Sequence, residues 1–158
     1  GMLNDYLQFA KTQTQEDTSV IDSSNLFKEI YKNLNNQNLI LLNLEDISLK
    51  GRRSSLKRCF ENVIQNGLIY GTKVYITFQK GSNIVSINIE DDGPGIPEDQ
   101  HKNVFKPFFR LDKSRNLNQS GVGLGLAIVE DIINSHGGNI QLGKSKYNGL
   151  LVKISLPF

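Results

Sequence analysis

The chain has 158 residues, 38% hydrophobic and 22% charged, with a formal net charge of +2. That length suits one domain around one core. Charge so near balance argues against a general polyanion-binding surface, so nucleic acid is not an expected partner. The single Cys59 excludes an internal disulfide or a cysteine-rich metal site, and no uninterrupted apolar run is long enough to cross a bilayer.

Gly1 precedes Met2, which reads as a cloning remnant on a piece of a longer protein, with a reducing, cytoplasmic compartment expected. Residues 2–13 carry Leu3, Tyr6, Leu7 and Ala10 at helical spacing, as the tail of a longer helix would. Polar residues 14–19 read as a linker, and 20–158 as the domain proper. Val20–Asp22 resembles a very short strand. Ser23 or Ser24 is expected to cap a helix through Leu34, with Leu26, Phe27, Ile30, Tyr31 and Leu34 inward. The continuous apolar run Leu39–Leu44 predicts a buried strand, and Asp46–Gly51 a short edge or turn.

Arg52–Tyr70 predicts the best helix, with Leu56, Cys59, Phe60, Val63, Ile64 and Gly67 on one face and Gly71 as its C-cap. Strands are expected over Lys73–Gln79 and from Ile84 onward, joined by a turn at Lys80–Asn83. The second runs into Asp91-Asp92-Gly93-Pro94-Gly95. A short helix should start at Pro97, followed by a long polar lid segment over Phe105–Ser120. Gly123–His136 predicts a helix burying Leu126, Ile128, Val129, Ile132 and Ile133, stopped by Gly137-Gly138. Strands Asn139–Leu142 and Leu150–Leu156 close the chain around a turn near Asn148-Gly149. The fold class expected is α+β, one mixed sheet with helices on one face.

Several residues are suited to nucleotide chemistry. Asn62 and Asn66 lie four apart on one helix face, and amide oxygens are hard ligands of the kind Mg²⁺ accepts. A carboxylate at a strand end, Asp91, can accept from an exocyclic amine such as adenine N6. Glycines 121, 123 and 125 present backbone N–H groups at a helix start, where phosphate is favoured. Arg110, Lys113 and Arg115 are candidate phosphate cations by charge and position. The P-loop pattern does not occur.

Four segments stand in order. Asn62–Tyr70 resembles the N box of the two-component sensor histidine kinases, Asp91–Ile96 their G1 box, Phe105–Arg110 their F box, and Gly121–Leu126 their G2 box. The resemblance runs from about Leu56 to the C-terminus and implies the Bergerat fold, a two-layer α/β sandwich shared with the gyrase, Hsp90 and MutL ATPases. It implies ATP and Mg²⁺ as cofactors. Asn66 becomes the metal ligand and Asn62 its supporting partner; Tyr70 lies against adenine and Asp91 binds its N6. Gly93, Gly95 and Ile96 shape the adenine side, Phe105 and Phe108 anchor the lid, and Gly121, Gly123, Leu124, Gly125 and Leu126 close on the phosphates. Partners implied are the dimerisation/phosphoacceptor domain of the same protein, in a homodimer, and a response regulator, in an inner-membrane sensor.

Two departures stand out. Ile69 occupies a place where the family usually has Lys or Arg, so a phosphate-facing cation is missing. Gly67 stands where Ala is common, at a cost to the helix of about 1 kcal/mol. Neither His101 nor His136 has the context of a phosphoacceptor, which is expected upstream of residue 2. The competing readings are a hydrolytic switch, a nucleotide-binding scaffold that has lost catalysis, and a serine-directed kinase. In the hydrolases a Glu stands in the place of Asn62 as base, a task an amide cannot perform. Glu61 is rotated about 100° away on the helix.

Overall fold

The computed structural model describes residues 17–106 and 125–158, so the expected helix over 2–13 and most of the expected lid segment lie outside the described residues. The element order is β1 (Ser19–Asp22), α1 (Ser23–Leu34), β2 (Leu39–Asn43), β3 (Ser48–Gly51), α2 (Arg53–Tyr70), β4 (Val74–Lys80), β5 (Ile84–Asp91), α3 (Gly125–Ser135), β6 (Asn139–Lys144) and β7 (Leu150–Pro157). A 3₁₀ turn, Glu98–Gln100, stands where the short helix from Pro97 was expected, and a second, Asn103–Phe105, follows it.

Five strands form one mixed sheet in the order β2-β4-β5-β7-β6. β2 runs parallel to β4, and the other neighbours are antiparallel. Alternation fixes the register: Ile76 faces Ile89 and Phe78 faces Ile87 across β4 and β5, while Ile87 and Ile89 meet Ile154 and Val152 on β7. These side chains all point to the layer formed by the helices and are buried there. α2 contributes Leu56, Cys59, Phe60, Val63, Ile64 and Gly67, the face its periodicity predicts. Phe27 of α1 packs on Phe60 at 4.7 Å and edge-on to Phe78 at 5.1 Å, tying two helices to the sheet. Burial pushes the Cys59 thiol far up, as suits a core residue rather than a nucleophile.

Several local expectations needed the tertiary structure to correct them. Asp22, not Ser23 or Ser24, is the N-cap of α1, its carboxylate accepting from Asn25 N–H at 3.0 Å. Ser23 is buried and bridges Glu45 O and Ile47 N–H instead. Tyr31 is 45% exposed, one step round the helix from the buried Ile30, where its ring stays in reach of water. The apolar run at β2 forms an edge strand, with Leu42 52% exposed. β3 is a strand of its own, pairing antiparallel with β1 in a separate two-stranded sheet. α2 ends at Gly71 in extended rather than left-handed backbone. Left-handed stops stand at Asn35 after α1 and at Gly137 after α3, where Gly137 N–H reaches Asn134 O and Gly138 N–H reaches Ile133 O in a Schellman arrangement.

Candidate functional site

The end of β5 lies against the last turns of α2. A Cβ on Gly67 would sit 2.6 Å from Val74 Cγ2 and 3.3 Å from Asp91 Cβ, so the missing side chain is where the strand end seats. Gly67 is therefore an intramolecular fit as well as a loosened helix position. Gly93 and Gly71 meet in the same way. A Cβ on Gly93 would lie 2.8 Å from Tyr70 O, and one on Gly71 would lie 2.6 Å from Asp92 Oδ1. Gly95 adopts φ +74°, a conformation other residues disfavour.

The two adjacent carboxylates do different things. Asp92 Oδ1 accepts from Thr72 N–H at 2.6 Å and Lys73 N–H at 2.9 Å, closing the turn between α2 and β4. Those two bonds, the one from Lys73 foremost, hold its carboxyl below the usual range. Asp91 is buried, with 8% of its surface exposed. Its Oδ1 accepts from Gly93 N–H at 2.9 Å and Leu150 N–H at 3.0 Å. Among the described residues no hydrogen bond reaches Oδ2. Burial pushes the carboxyl up, the two N–H groups pull it partly back, and the Asp92 charge adds to the rise. An acceptor that is desolvated and half satisfied is suited to a ligand's N–H donor.

α3 packs against α2 near Asn66. A Cβ on Gly125 would lie 3.5 Å from Asn66 Nδ2, so the α2 amide faces the first described turn of α3. Asn62 and Tyr70 are half-buried on the same helix, and Ile69 is 44% exposed. Leu126 packs partly buried on the core. Ile96 is half-buried and its carbonyl accepts from His101 Nε2 at 2.9 Å. Phe105, also half-buried, lines a groove of about 580 Å³ with His101, Lys102, Lys106 and Glu130, a concavity against Ile140–Leu142 of β6 rather than at Asp91. Phe108, Arg110, Lys113, Arg115, Gly121, Gly123 and Leu124 lie outside the described residues.

Residues 51–158 match the family of histidine kinase-, DNA gyrase B- and HSP90-like ATPases. The chain belongs to this family. Membership implies use of ATP. Among its relatives, sensor histidine kinase GtrS of Pseudomonas aeruginosa is 37% identical over 107 residues, 68% of this chain and 22% of the relative. Sensor histidine kinase CpxA of Escherichia coli is 37% identical over 110 residues, 69% of this chain and 24% of the relative. The chain thus spans about a quarter of the length of these proteins. Its fold matches the ATP-binding domain of PrrB from Mycobacterium tuberculosis, with TM-score 0.73 and 25% identity over 90% of this chain and 98% of that one. It also matches the histidine kinase domain of the Escherichia coli osmosensor EnvZ, with TM-score 0.65 and 32% identity over 89% and 88%. The Bergerat sandwich is thereby established, and the ATPase family confirms the resemblance carried by the four boxes.

Both histidines are tied into the fold of this ATPase-family domain. His136 Nδ1–H donates to Ile132 O at 2.7 Å, and Nε2 accepts from Arg52 N–H at 3.0 Å. His101 is held by the bond to Ile96 O. What the sequence did not disclose is Leu150 N–H, the second donor to Asp91. Its partner lies 59 positions away, and the signal available was only a turn at Asn148-Gly149.

Proposed function

We propose that this chain binds ATP with Mg²⁺ between the end of α2, the end of β5 and the start of α3. It donates the γ-phosphoryl to a histidine on the dimerisation domain of the same protein, for relay to a response-regulator aspartate. The observation that carries this reading is the convergence of Asn66 with Gly125 on one side and of Asp91 with Gly67 and Gly93 on the other. Asp91 Oδ2 accepts the adenine amino group while Tyr70 and Ile96 flank the base. Gly121, Gly123, Leu124, Gly125 and Leu126 close over the phosphates, with Phe105 and Phe108 as lid anchors and Arg110, Lys113 and Arg115 as cations that offset the absence of one at Ile69.

Among the described residues no group of three or more His, Cys, Asp or Glu could hold a metal. That suits an ion held by one amide and the nucleotide's own phosphates. Asn66 is that amide and Asn62 its support; the bound ion would neutralise phosphate charge during transfer. The chain's contribution is orientation, because phosphoryl transfer needs in-line placement and charge neutralisation more than a base. Among the described residues water-directed hydrolysis finds no base at this helix position. Asn62 cannot take a proton, and Glu61 pairs with Lys57 Nζ at 3.4 Å along the helix. Relatives that are sensor histidine kinases support a cytoplasmic domain of an inner-membrane sensor.

The test is incubation with radiolabelled ATP, with and without a dimerisation domain. The chain alone takes up negligible acid-labile label, since both its histidines are engaged within the fold, and added acceptor domain becomes labelled. Asn66→Ala lowers that labelling at least about 10- to 100-fold, the usual loss on removing a group that positions a metal, without unfolding the helix. Label on His101 or His136, or steady phosphate release, defeats the reading.

A further inference from the structure

The β6–β7 turn is fastened to the strand end at four points. Lys146 N–H donates to Glu90 Oε2 at 3.1 Å. Leu150 N–H donates to Asp91 Oδ1 at 3.0 Å. The Tyr147 ring stacks on Tyr75 of β4 at 3.8 Å, with 14° between planes. Gly149 fits so closely that a Cβ there would overlap Asp91 Oδ1 and its carbonyl oxygen, and would lie 2.6 Å from Asp91 C. The turn is also braced within itself, by Ser145 N–H to Gly149 O at 2.9 Å and Asn148 N–H to Ser145 O at 3.0 Å.

From this geometry we infer that the β6–β7 turn is the positioning device for base recognition: Gly149 and the Leu150 N–H fix the Asp91 carboxylate so that Oδ2 alone is presented to the base. The inference rests on the reading of Asp91 as the adenine partner and adds residues that touch no ligand. A carboxylate has two equivalent oxygens and a broad, roughly two-fold preference about its last bond. Gly93 N–H alone leaves that rotation weakly set. A second donor from a different strand, with a glycine that lets the turn close down on the oxygen, selects one orientation. The Tyr147–Tyr75 stack and the Glu90–Lys146 bond keep the turn at that distance. Selectivity for an amino group over a carbonyl on the base therefore depends on residues in the last hairpin.

Inosine diphosphate carries a carbonyl oxygen and an N1–H where ADP carries the amino group and an N1 acceptor, so the ratio of the two affinities reads the base edge that faces Asp91. In the parent chain calorimetry should give ADP tighter by roughly tenfold or more, as for a hydrogen bond to a charged group. Gly149→Ala should bring that ratio to within about threefold, mostly through weaker ADP binding. Tyr147→Ala, which loosens the turn without touching Asp91, should lower it part of the way, and Tyr147→Phe should restore it. A parent that does not distinguish the two nucleotides overturns the adenine reading of Asp91 itself. A parent that distinguishes them, with a full ratio kept in Gly149→Ala, overturns the positioning role alone, whatever happens to the melting temperature. If Gly149→Ala does not fold, Tyr147→Ala decides: an unchanged ratio there overturns the inference.

Discussion

Two glycines, one near each end of α2, are each pressed against a polar side chain, and the two contacts end differently. At the N-terminal end a Cβ on Gly51 would lie 2.5 Å from His136 Cδ2. There the imidazole spends both nitrogens inside the fold, one on Arg52 N–H and one on Ile132 O. At the C-terminal end Gly149 closes on Asp91, which uses Oδ1 twice while no hydrogen bond reaches Oδ2 among the described residues. Close packing therefore does not separate structure from function here. The distinction is whether the polar group's capacity is used up. His136 is complete and belongs to the scaffold; Asp91 is largely buried and keeps one oxygen available for a donor from outside.

The sharpest way to break that contrast is Asp91→Asn. An asparagine Oδ1 can still accept from Gly93 and Leu150 N–H, but a donor amide then replaces the acceptor offered to the ligand. ADP affinity should fall by about 1.5–3 kcal/mol, or roughly 10- to 100-fold, the worth of a hydrogen bond to a charged group. The melting temperature at neutral pH should hold or rise, because a buried charge has been removed. Calorimetry and a thermal melt on the same sample check both halves. Undiminished ADP binding would mean that the unsatisfied oxygen is not the recognition group.

His136→Ala is the mirror experiment, with a smaller effect of the opposite kind. It leaves the Arg52 N–H without its acceptor and opens space beside Gly51, which should cost about 1–2 kcal/mol of stability. ADP affinity of the folded variant should stay within about twofold, since nothing at the Asp91 end is touched. A denaturant titration alongside calorimetry tests this, and a large loss of binding with stability intact would place His136 in the site.

The same contrast explains what could be read from the chain alone. α2's buried face, the strand running into Asp91 and the glycine stops are local patterns of period and turn chemistry, so they are visible in sequence. The place at a strand end singles out Asp91 over Asp92, the family resemblance makes the same choice, and the hydrogen bonds then separate the two by partner. Elements set by distant pairing stayed hidden. β3 needs β1, on the far side of α1 and β2, before it is a strand. The edge position of β2 depends on where the sheet stops. Leu150 N–H becomes a support for Asp91 only when β7 lies beside β5. Ser23 or Ser24 is the cap that local pattern suggests, but a bond from Ile47 N–H occupies Ser23, and the cap is Asp22.

The smallest effect is the one that most directly compares the neighbouring carboxylates. Burial places the Asp91 carboxyl above its ordinary 3.8, while the Lys73 and Thr72 N–H groups place that of Asp92 below the same 3.8. For Asp91 the folded chain keeps a proton that the unfolded chain has released, so its contribution to stability declines as pH rises from about 4 through the folded value. For Asp92 the unfolded chain holds the extra proton. Its contribution is present above about 4 and is lost as pH falls through the folded value. Melting curves from pH 3 to 7 should therefore show Asp91→Asn gaining on the parent as pH rises, and Asp92→Asn losing to the parent at neutral pH but converging with it in acid. ADP adds a third leg. Its amino group favours the ionised Asp91, so ADP affinity should fall as pH drops through the raised value in the parent and stay flat in Asp91→Asn. If the Asp91→Asn advantage shrank as pH rose, the carboxylate would already be satisfied in the free chain, and the difference between the two ends of α2 would disappear.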